Sequence, residues 1–396
     1  MINNSKKTIH LILFSALHSF DGGRETWLNN FIKESKRKTS DFDLVVYYFS
    51  DSRSQSESLI DSVYLYPDIF KKIDLPSHGN IFKSFLRVLK FQISAFSNLK
   101  ISIQSGDIIL GIGNIHEAFI PFIFNILKFK NKTLKSGVWL RSIFIKQQAA
   151  LAGPLRLKIM TAVEIQLLKS LSFILSNGWD TSLFYKNNYN IDSYVIPNSL
   201  VLSNYRDIKN VDYKSKVLVI SFIGRLSKEK GFFEFMKSIE LFNELYSDYK
   251  SLIEFQVVGN GPLRHLIEDE LINNLKYIGV LDNYLIPNYL GNIDCGVALT
   301  SAKTIGGGGL SHGYLELLAS GRIAIVWDNE IYRQIDCEDS VVLIEEGNIS
   351  GLANSYFSIL QKKEAYQYKT QNAIKLAESF SIENHFNLFC EFIEKL

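Results

Sequence analysis

The sequence predicts an α/β protein with two doubly wound, Rossmann-like domains. In both halves, short apolar segments alternate with amphipathic helical stretches, a pattern typical of parallel sheets covered by helices on both faces. The alternation breaks after Pro197 and Asn198, where residues 199–216 are polar and lack periodicity. The 396 residues fit two to three domains, and a content of 46% hydrophobic and 21% charged residues excludes a disordered or fibrous chain.

The first domain is expected over residues 1–199. Apolar runs predict strands at Ile9–Ser15, Leu44–Phe49, Asp107–Ile112, Thr133–Trp139, Phe173–Ser176 and Tyr194–Ile196. Amphipathic stretches between these runs predict helices at Glu25–Lys38, Ile81–Leu99, Ala118–Lys128 and Phe144–Ser170. Lys6 and Lys7 precede the first run as in a signal peptide, but the run is short and His18 follows closely, so a strand is the better interpretation.

The second domain is expected over residues 200–379. Its predicted strands are Val217–Ile223, Glu254–Val258, Leu275–Tyr277, Cys295–Leu299, Ile323–Trp327 and Val341–Ile344. Its predicted helices are Phe232–Tyr246, Pro262–Asn273 and Tyr314–Ser320, and a last helix lies near Ile382–Leu396. Because ligands of doubly wound sheets sit at the carboxyl ends of the strands, the loops after each strand are the candidate sites.

The cysteines and the hydropathy pattern indicate a cytoplasmic protein. Cys295, Cys337 and Cys390 lie far apart and in no metal-binding spacing, which excludes a disulfide scaffold or a zinc ribbon. No run of 18 apolar residues predicts a transmembrane helix.

Charge is distributed unevenly along the chain. The net charge is only +2, but residues 1–200 hold 24 basic against 15 acidic residues, and residues 81–170 hold 13 against 3. Such a basic region is compatible with nucleic acid, an anionic membrane surface or an anionic substrate, and equally with solvated helix faces. Nucleic acid is disfavoured because no recognition motif is present.

Two strand-end loops combine glycine with polar residues. Gly22 and Gly23 precede the first helix, where bare backbone N–H groups can approach a ligand, although tight turns also use paired glycines. The loop from Gly224 to Gly231 carries Arg225 and Lys230 between a strand and a helix. An arginine and a lysine in this context predict phosphate binding, with a solvated turn as the alternative.

A third loop has four consecutive glycines, residues 306–309, followed by Leu310, Ser311 and His312 at a helix start. Backbone amides in such a turn can cradle a diphosphate. Glu316 lies within the otherwise apolar helix that follows, where a carboxylate needs a partner, either ribose hydroxyls or a buried protein group.

Three more glycine turns complete the sequence pattern. Gly259 and the turn at Ile278 could contact a nucleotide base through backbone groups. Gly111 and Gly113 begin a G-x-G pattern, but His116 stands where a third glycine is needed, so a dinucleotide fingerprint is disfavoured.

The order of these motifs resembles that of the retaining glycosyltransferases of family 4, which have the GT-B fold of two domains facing a central cleft. The resemblance spans nearly the whole chain. Its motifs are Gly22-Gly23, Tyr194–Ser199, the segment from Phe222 through Gly231, Val257–Pro262, Tyr277–Gly279 and the final helix at 380–396, which in the family crosses back to the first domain.

The resemblance implies specific roles and two departures. Arg225 and Lys230 would bind the donor diphosphate, and Glu316 the donor ribose. The donor site would also include Gly23, Gly224, Gly259, Ile278, Gly308, Gly309, Leu310, Ser311 and His312. The first departure is Gly308, which occupies the position of a family glutamate that contacts the transferred sugar. It implies either an unusual sugar or a weakened enzyme.

The second departure is Arg141, just after the predicted strand Thr133–Trp139. In the family this strand often ends in a histidine near the sugar, and Arg141 would replace that histidine. Arg141 would then contact phosphate or sugar. His116, just past another strand, is the first histidine to test for catalysis, with a structural loop histidine as the alternative.

The implied function is retaining transfer of a sugar from a nucleotide-diphosphate sugar to a glycan or a polyprenyl-diphosphate-linked acceptor in bacterial surface polysaccharide synthesis, such as O-antigen or capsule. The resemblance requires no metal and no other cofactor. Basic helices with aromatic residues, such as Ile81–Leu99 with Lys83, Arg87 and Lys90, would place the enzyme peripherally at the inner face of the plasma membrane. The alternatives are another nucleotide-sugar enzyme such as an epimerase, or a catalytically weak nucleotide-sugar-binding subunit.

Overall fold

Apolar, β-branched segments form two separate parallel sheets. The computed structural model describes residues 6–18, 23–38, 41–50, 59–75, 81–127, 133–149, 152–268, 272–303, 308–335 and 337–396. The chain divides into two compact units, of which the first comprises Met1–Pro197, Gly307–Gly309 and His385–Leu396, and the second comprises Asn198–Gly306 and Leu310–Asn384. The first segment of the first unit ends at Pro197, two residues before the expected domain boundary at residue 199.

The first unit contains a seven-stranded parallel sheet of order β3-β2-β1-β4-β5-β6-β7. Its strands are Lys7–Ile12 (β1), Phe42–Ser50 (β2), Phe70–Asp74 (β3), Ile108–Gly113 (β4), Lys135–Leu140 (β5), Phe173–Ser176 (β6) and Tyr194–Val195 (β7). Ile9 of β1 is in register with Leu44 on one side and Ile108 on the other. The order of the strands reverses between β1 and β4, so the carboxyl ends of these two strands are a favoured ligand position.

Helices connect the strands of this sheet in the described part of the chain. They are Gly23–Arg37 (α1), Asp61–Leu65 (α2), Ile81–Ser102 (α3), Ile115–Ile126 (α4), Phe144–Ala149 (α5), Pro154–Lys169 (α6) and Trp179–Tyr189 (α7). The predicted continuous helix Phe144–Ser170 is wrong, because α6 begins anew at Pro154 after the extended residue Gly153. Proline lacks an N–H group and suits the first turn of a helix rather than its interior.

The second unit contains a six-stranded parallel sheet of order β10-β9-β8-β11-β12-β13. Its strands are Leu218–Ile223 (β8), Ile253–Val258 (β9), Leu275–Gly279 (β10), Cys295–Ala298 (β11), Ile323–Asp328 (β12) and Val341–Glu345 (β13). Its order reverses between β8 and β11.

The remaining helices are Phe232–Leu245 (α8), His265–Glu268 (α9), Ile286–Leu290 (α10), His312–Ala319 (α11), Ile349–Gln361 (α12), Gln367–Glu378 (α13) and Ile382–Glu394 (α14). The predicted helix Pro262–Asn273 is described only as the short α9, and residues 269–271 lie outside the described residues. The last helix supplies Phe386, Phe389 and Ile393 to the core of the first unit, where Phe386 and Phe389 contact Phe31 of α1.

Among the described residues, no helix is both long and apolar enough to cross a bilayer. The described part of the chain also contains no group of three or more histidine, cysteine, aspartate or glutamate side chains placed to hold a metal ion.

Candidate functional site

The loop between β8 and α8 is fixed by glycine at both ends. Gly224 has a φ of +143° and Gly231, which begins α8, has a φ of +71°. A Cβ atom on Gly231 would lie 2.4 Å from Leu299 Cβ, so a larger residue would clash as well as be strained. One turn of 3-10 helix, Lys228–Lys230, precedes Gly231. The loop thus ends in a defined turn at the start of a helix.

The two basic residues of this loop differ in exposure. The Arg225 side chain is 68% exposed, and its Nη1 atom lies 3.9 Å from Oε1 of Glu229. Lys230 is partly buried at the end of the turn. An exposed guanidinium at a strand-to-helix loop can bind an oxyanion with two parallel hydrogen bonds.

The neighbouring strand-end loops pack against Gly224. A Cβ atom on Gly259 would lie 1.9 Å from the Gly224 carbonyl oxygen, so the close approach of the two loops requires glycine. The Gly259 N–H donates to the Gly279 carbonyl at 2.8 Å, and the Tyr277 hydroxyl donates to the Gly259 carbonyl at 2.9 Å. Ile278, in the last residues of β10, is partly exposed. The structure therefore brings the ends of β8, β9 and β10 together.

The start of α11 lies beside the end of β8. Ser311 caps the helix, and its hydroxyl accepts from the Tyr314 N–H at 3.2 Å. Leu310 is buried, and its carbonyl accepts from the Asn198 side chain at 2.8 Å. His312 is the first, partly exposed residue of the helix. A Cβ atom on Gly313 would lie 3.0 Å from the Ile223 carbonyl oxygen, which places this helix end against β8.

Glu316 lies one turn further into α11. Its Oε1 atom accepts a hydrogen bond of 3.3 Å from the Tyr205 hydroxyl. Burial raises the pKa of Glu316 to about 7, and the hydrogen bond from Tyr205 offsets part of that rise. In this structure the hydrogen-bond partner of Glu316 is thus the Tyr205 hydroxyl. Because the pKa of Glu316 is about 7, its ionised form is available near neutral pH to accept hydrogen bonds from ligand hydroxyls.

Gly308 and Gly309 contact residues of the first unit, to which they belong. The Gly309 N–H donates to Asp180 Oδ1 at 3.1 Å, and the Asn177 side chain donates to the Gly308 carbonyl at 2.7 Å. A Cβ atom on Gly309 would lie 2.2 Å from the Asn177 carbonyl oxygen. The amide expected to cradle a diphosphate is therefore engaged by a carboxylate here. Gly306 and Gly307 lie outside the described residues.

A buried charge network stands at the carboxyl ends of β1 and β4. Gly23 is the exposed first residue of α1, and Gly22 lies outside the described residues. Next to it, Arg24 donates to Glu117 Oε1 at 3.1 Å and to Glu25 Oε1 at 3.2 Å. Burial lowers the pKa of Arg24, but the charges of Glu117 and Glu25 outweigh burial and raise it on balance. Sequence reasoning did not identify Arg24, because its ion pair joins residues 93 positions apart.

His116 is exposed near the start of α4. Its ring centroid lies 6.4 Å from that of Phe14 and 6.0 Å from that of Phe144. The turn that holds it is a capping box formed by Asn114 and Glu117. A Cβ atom on Gly113 would lie 2.4 Å from the carboxyl carbon of Glu117, so the capping box requires glycine at this position.

Arg141 is stacked on two tryptophans at the end of β5. Its guanidinium carbon lies 4.7 Å from the centroid of the Trp27 ring and 5.8 Å from that of Trp139. Burial lowers the pKa of Arg141 to about 9, and the positive charge of Arg24 contributes. The arginine is thus held by aromatic faces rather than extended into solvent.

His385, in the first turn of α14, is hydrogen-bonded to two residues of the first unit. Its Nε2 atom accepts from the Trp27 indole at 2.7 Å, so Nδ1 carries the proton and donates to the Pro197 carbonyl at 2.7 Å. Burial lowers the pKa of His385 to about 3. The neutral ring stacks on Trp139 at a centroid distance of 5.4 Å.

Glu346, just after β13, holds the loop that follows β11. It accepts from the Ser301 hydroxyl at 2.5 Å, from the amide N–H groups of Ala302 and Lys303 at 3.3 Å each, and from the Asn329 side chain at 2.9 Å. The Ser301 N–H in turn donates to the Glu229 carbonyl at 3.0 Å, within the loop of Arg225 and Lys230. Glu346 carries no motif that would single it out in the sequence.

Solved structures with the same architecture are widespread. Three of them are sucrose-phosphate synthase from Thermosynechococcus elongatus (14% identical, 98% of each chain covered, TM-score 0.71), HepE from Anabaena in complex with UDP (14%, 98% of this chain and 100% of that one, TM-score 0.70), and the lipopolysaccharide outer core galactosyltransferase WaaB (16%, 98% and 100%, TM-score 0.66). The two parallel-sheet units and these neighbours confirm the predicted α/β fold of the GT-B type.

A family model adds a functional class. Residues 205–376 match the model described as glycosyl transferases group 1. No curated protein sequence matches the chain significantly. The matched segment holds Arg225, Lys230 and Glu316, and it supports a glycosyltransferase with the GT-B fold.

Proposed function

We propose that this protein is a retaining glycosyltransferase that moves a sugar from a nucleotide-diphosphate sugar to a glycan or a polyprenyl-diphosphate-linked acceptor. One observation carries the proposal: the loop of Arg225 and Lys230 and the capped start of α11, with Glu316 one turn on, lie together at the ends of the second sheet. A basic loop, a helix N-terminus and a carboxylate suit the diphosphate and the ribose of one donor. The neighbour HepE was solved with UDP, which supports a nucleotide donor.

Each part of this arrangement has a chemical task. Negative charge develops on the leaving diphosphate during transfer, and Arg225, Lys230 and the α11 N-terminus stabilise it. The Glu316 carboxylate accepts hydrogen bonds from the ribose hydroxyls. In a retaining reaction the leaving phosphate can take the acceptor proton on the same face, so the protein need not supply a nucleophile.

The donor sugar is proposed to depend on the residue at position 308. Gly308 stands where the resemblance places a glutamate contacting that sugar, and among the described residues a Cβ atom here would meet the Arg141 carbonyl, at 3.4 Å. A glycine in place of that glutamate predicts either an unusual or bulkier donor sugar or weak turnover.

The acceptor is proposed to bind the first unit. In that unit His116 is the candidate catalytic histidine, and Arg141 is the candidate contact for the donor phosphate or sugar. The neighbour WaaB is a lipopolysaccharide outer core galactosyltransferase, which supports a role in surface polysaccharide, as O-antigen or capsule. Such acceptors are lipid-linked, so we place the enzyme at the inner face of the plasma membrane. Transfer is proposed to need no metal and is expected to continue in excess EDTA.

The proposal is tested by incubating the protein with a panel of nucleotide sugars and lipid-linked or glycan acceptors, and following products by NMR. We expect acceptor-dependent transfer with the anomeric configuration of the donor retained. Inverted configuration would overturn the retaining mechanism. Interconversion of the donor without acceptor would favour an epimerase. Donor binding without turnover on any acceptor would favour a nucleotide-sugar-binding subunit, as Gly308 would suggest.

A further inference from the structure

Three neighbouring helices of the first unit expose apolar side chains. The connections from β3 to β4, β4 to β5 and β5 to β6 all run in one direction across the sheet, so right-handed crossovers place α3, α4 and α6 on the same face. Helix α4 contacts both α3 and α6. The outer surface of this row, called the helical face below, is therefore continuous.

The helical face holds ten of the nineteen large apolar side chains that are exposed among the described residues. They are Leu86, Leu89, Ile93, Ile101, Phe119, Ile126, Leu127, Leu155, Ile159 and Val163. On α6 the last three follow each other at intervals of four residues, which makes one stripe along the helix. Exposed apolar surface on this scale marks an interaction site.

Two aromatic residues of α3 and α4 are not part of this face. Phe91 and Phe124 are buried in the core between α3, α4 and the sheet. Arg87 is also buried, with its guanidinium carbon 5.3 Å from the centroid of the Phe49 ring. The exposed set is aliphatic except for Phe119, and it extends to α6.

Charge on the helical face has one sign. All three acidic residues within 81–170, namely Asp107, Glu117 and Glu164, are buried. Exposed basic residues remain, among them Lys83 and Lys90 on α3 and Arg156 and Lys158 on α6. The face therefore presents aliphatic and cationic groups to solvent without an exposed carboxylate.

From this juxtaposition we propose that the helical face docks on an anionic lipid bilayer, with the α6 stripe Leu155, Ile159 and Val163 inserted at the headgroup boundary. A bilayer offers phosphates to the lysines and acyl chains to the aliphatic groups at once. A second copy of this face would bring like charges together. A nucleic acid would leave the aliphatic side chains exposed. The docking deepens the proposed function by presenting the enzyme to a lipid-linked acceptor, but it depends on the first unit alone.

The test is flotation of the full chain with vesicles of phosphatidylcholine alone or mixed with phosphatidylglycerol, without substrate. We expect binding only to the anionic vesicles and release at 1 M salt, where charges act over about 3 Å. Ile159→Glu should reduce binding at least tenfold. Lys158→Glu should reduce it by about fivefold or more, the loss expected for one basic residue at the surface. The matched controls are Leu245→Glu on α8, whose leucine is 54% exposed against 57% for Ile159, and Lys375→Glu on α13.

Three results would overturn the docking: no binding to either vesicle, equal binding to both, or equal losses in the variants and their controls. A concentration-dependent dimer that Ile159→Glu dissociates would assign the face to self-association instead. Circular dichroism and thermal unfolding establish that each variant is folded. Because vesicle binding is measured without donor or acceptor, its failure would leave the proposed transfer standing.

Discussion

A carboxylate within an apolar helix is the residue of the second unit that most needs a physical account. Glu316 is flanked by Leu315 and Leu317, which are buried in the second unit. Its hydrogen bond from Tyr205 does not compensate fully for burial, since the pKa stays near 7. An incompletely satisfied carboxyl group near neutral pH suits a residue whose proper partner is a ligand.

Glu316 should make donor binding depend on pH. Because its pKa is raised to about 7, the carboxylate that accepts ribose hydroxyls is populated increasingly above that pH. Affinity for a nucleotide sugar, whose diphosphate has no ionisation near neutrality, should rise between pH 6 and pH 8. Calorimetric titration at several pH values measures this rise, and Glu316→Gln should abolish it.

The same variant separates a ligand role from a structural one. Ionising the partly buried Glu316 costs stability as pH rises from about 4.5 through 7, so the Glu316→Gln variant, whose amide stays neutral, should be no less stable than the wild type at pH 8. Glu244→Gln, at an exposed position on α8, is the control. If Glu316→Gln unfolds while its folded fraction binds donor normally, the ribose role is wrong.

At the scale of elements, local pattern predicts the strands well where they are apolar throughout. β4 and β12 were expected from continuous apolar runs. β3 was missed because two exposed lysines, Lys71 and Lys72, interrupt its five residues. α7 was missed because its apolar residues do not recur at helical spacing. Contacts distant in sequence, such as Arg24 with Glu117 or Gly309 with Asp180, leave no local pattern to detect.

Glu346 is expected to position the loop of Arg225 and Lys230 indirectly, through residues 301–303 of the loop that follows β11. Glu346→Ala removes the acceptor for the Ser301 hydroxyl and for two backbone N–H groups. Leaving such donors unpaired should lower the free energy of unfolding by about 1–3 kcal/mol and raise KM for the donor more than it lowers kcat. Urea unfolding and steady-state kinetics measure both. Glu345→Ala, at the exposed neighbouring position, is the control, and identical KM values in the two variants would contradict the positioning role.

His385 should make the anchoring of α14 sensitive to acid. Its pKa falls to about 3 in the folded chain, below the ordinary 6.5, so its contribution to stability is present above pH 6.5 and is lost as pH falls toward 3. Between pH 6.5 and pH 5 the loss is about 2 kcal/mol, at roughly 1.4 kcal/mol for each pH unit. His385→Gln should flatten this dependence in urea unfolding, whereas the exposed His265→Gln should not. An unchanged pH slope in His385→Gln would show that the ring is not held neutral.

At the scale of the molecule, the candidate functional residues fall into two groups, one on each parallel sheet. The second unit holds Arg225, Lys230 and Glu316 at the carboxyl ends of its strands, and the first holds a charge network, a stacked arginine and the helical face. Sequence reasoning found the loops of the second unit, because strand, glycine and basic residue follow each other directly there. It indicated a membrane surface on basic helices such as Ile81–Leu99, but it did not identify the exposed aliphatic side chains or the part played by α6, because which side of a helix is covered depends on how the helices pack.

The central claim is that the loop of Arg225 and Lys230 binds a nucleoside diphosphate group. The direct measurement is calorimetric titration of the full chain with a panel of nucleotide sugars, repeated with the Arg225→Ala/Lys230→Ala double variant and a Lys250→Ala/Lys375→Ala control of equal charge. We predict that one nucleotide class binds the wild type and the control equally. The double variant should lose at least tenfold in affinity, since hydrogen bonds to a charged group contribute about 1.5–3 kcal/mol each. Equal affinity in the double variant and the wild type, or no binding by any nucleotide sugar, would contradict the claim.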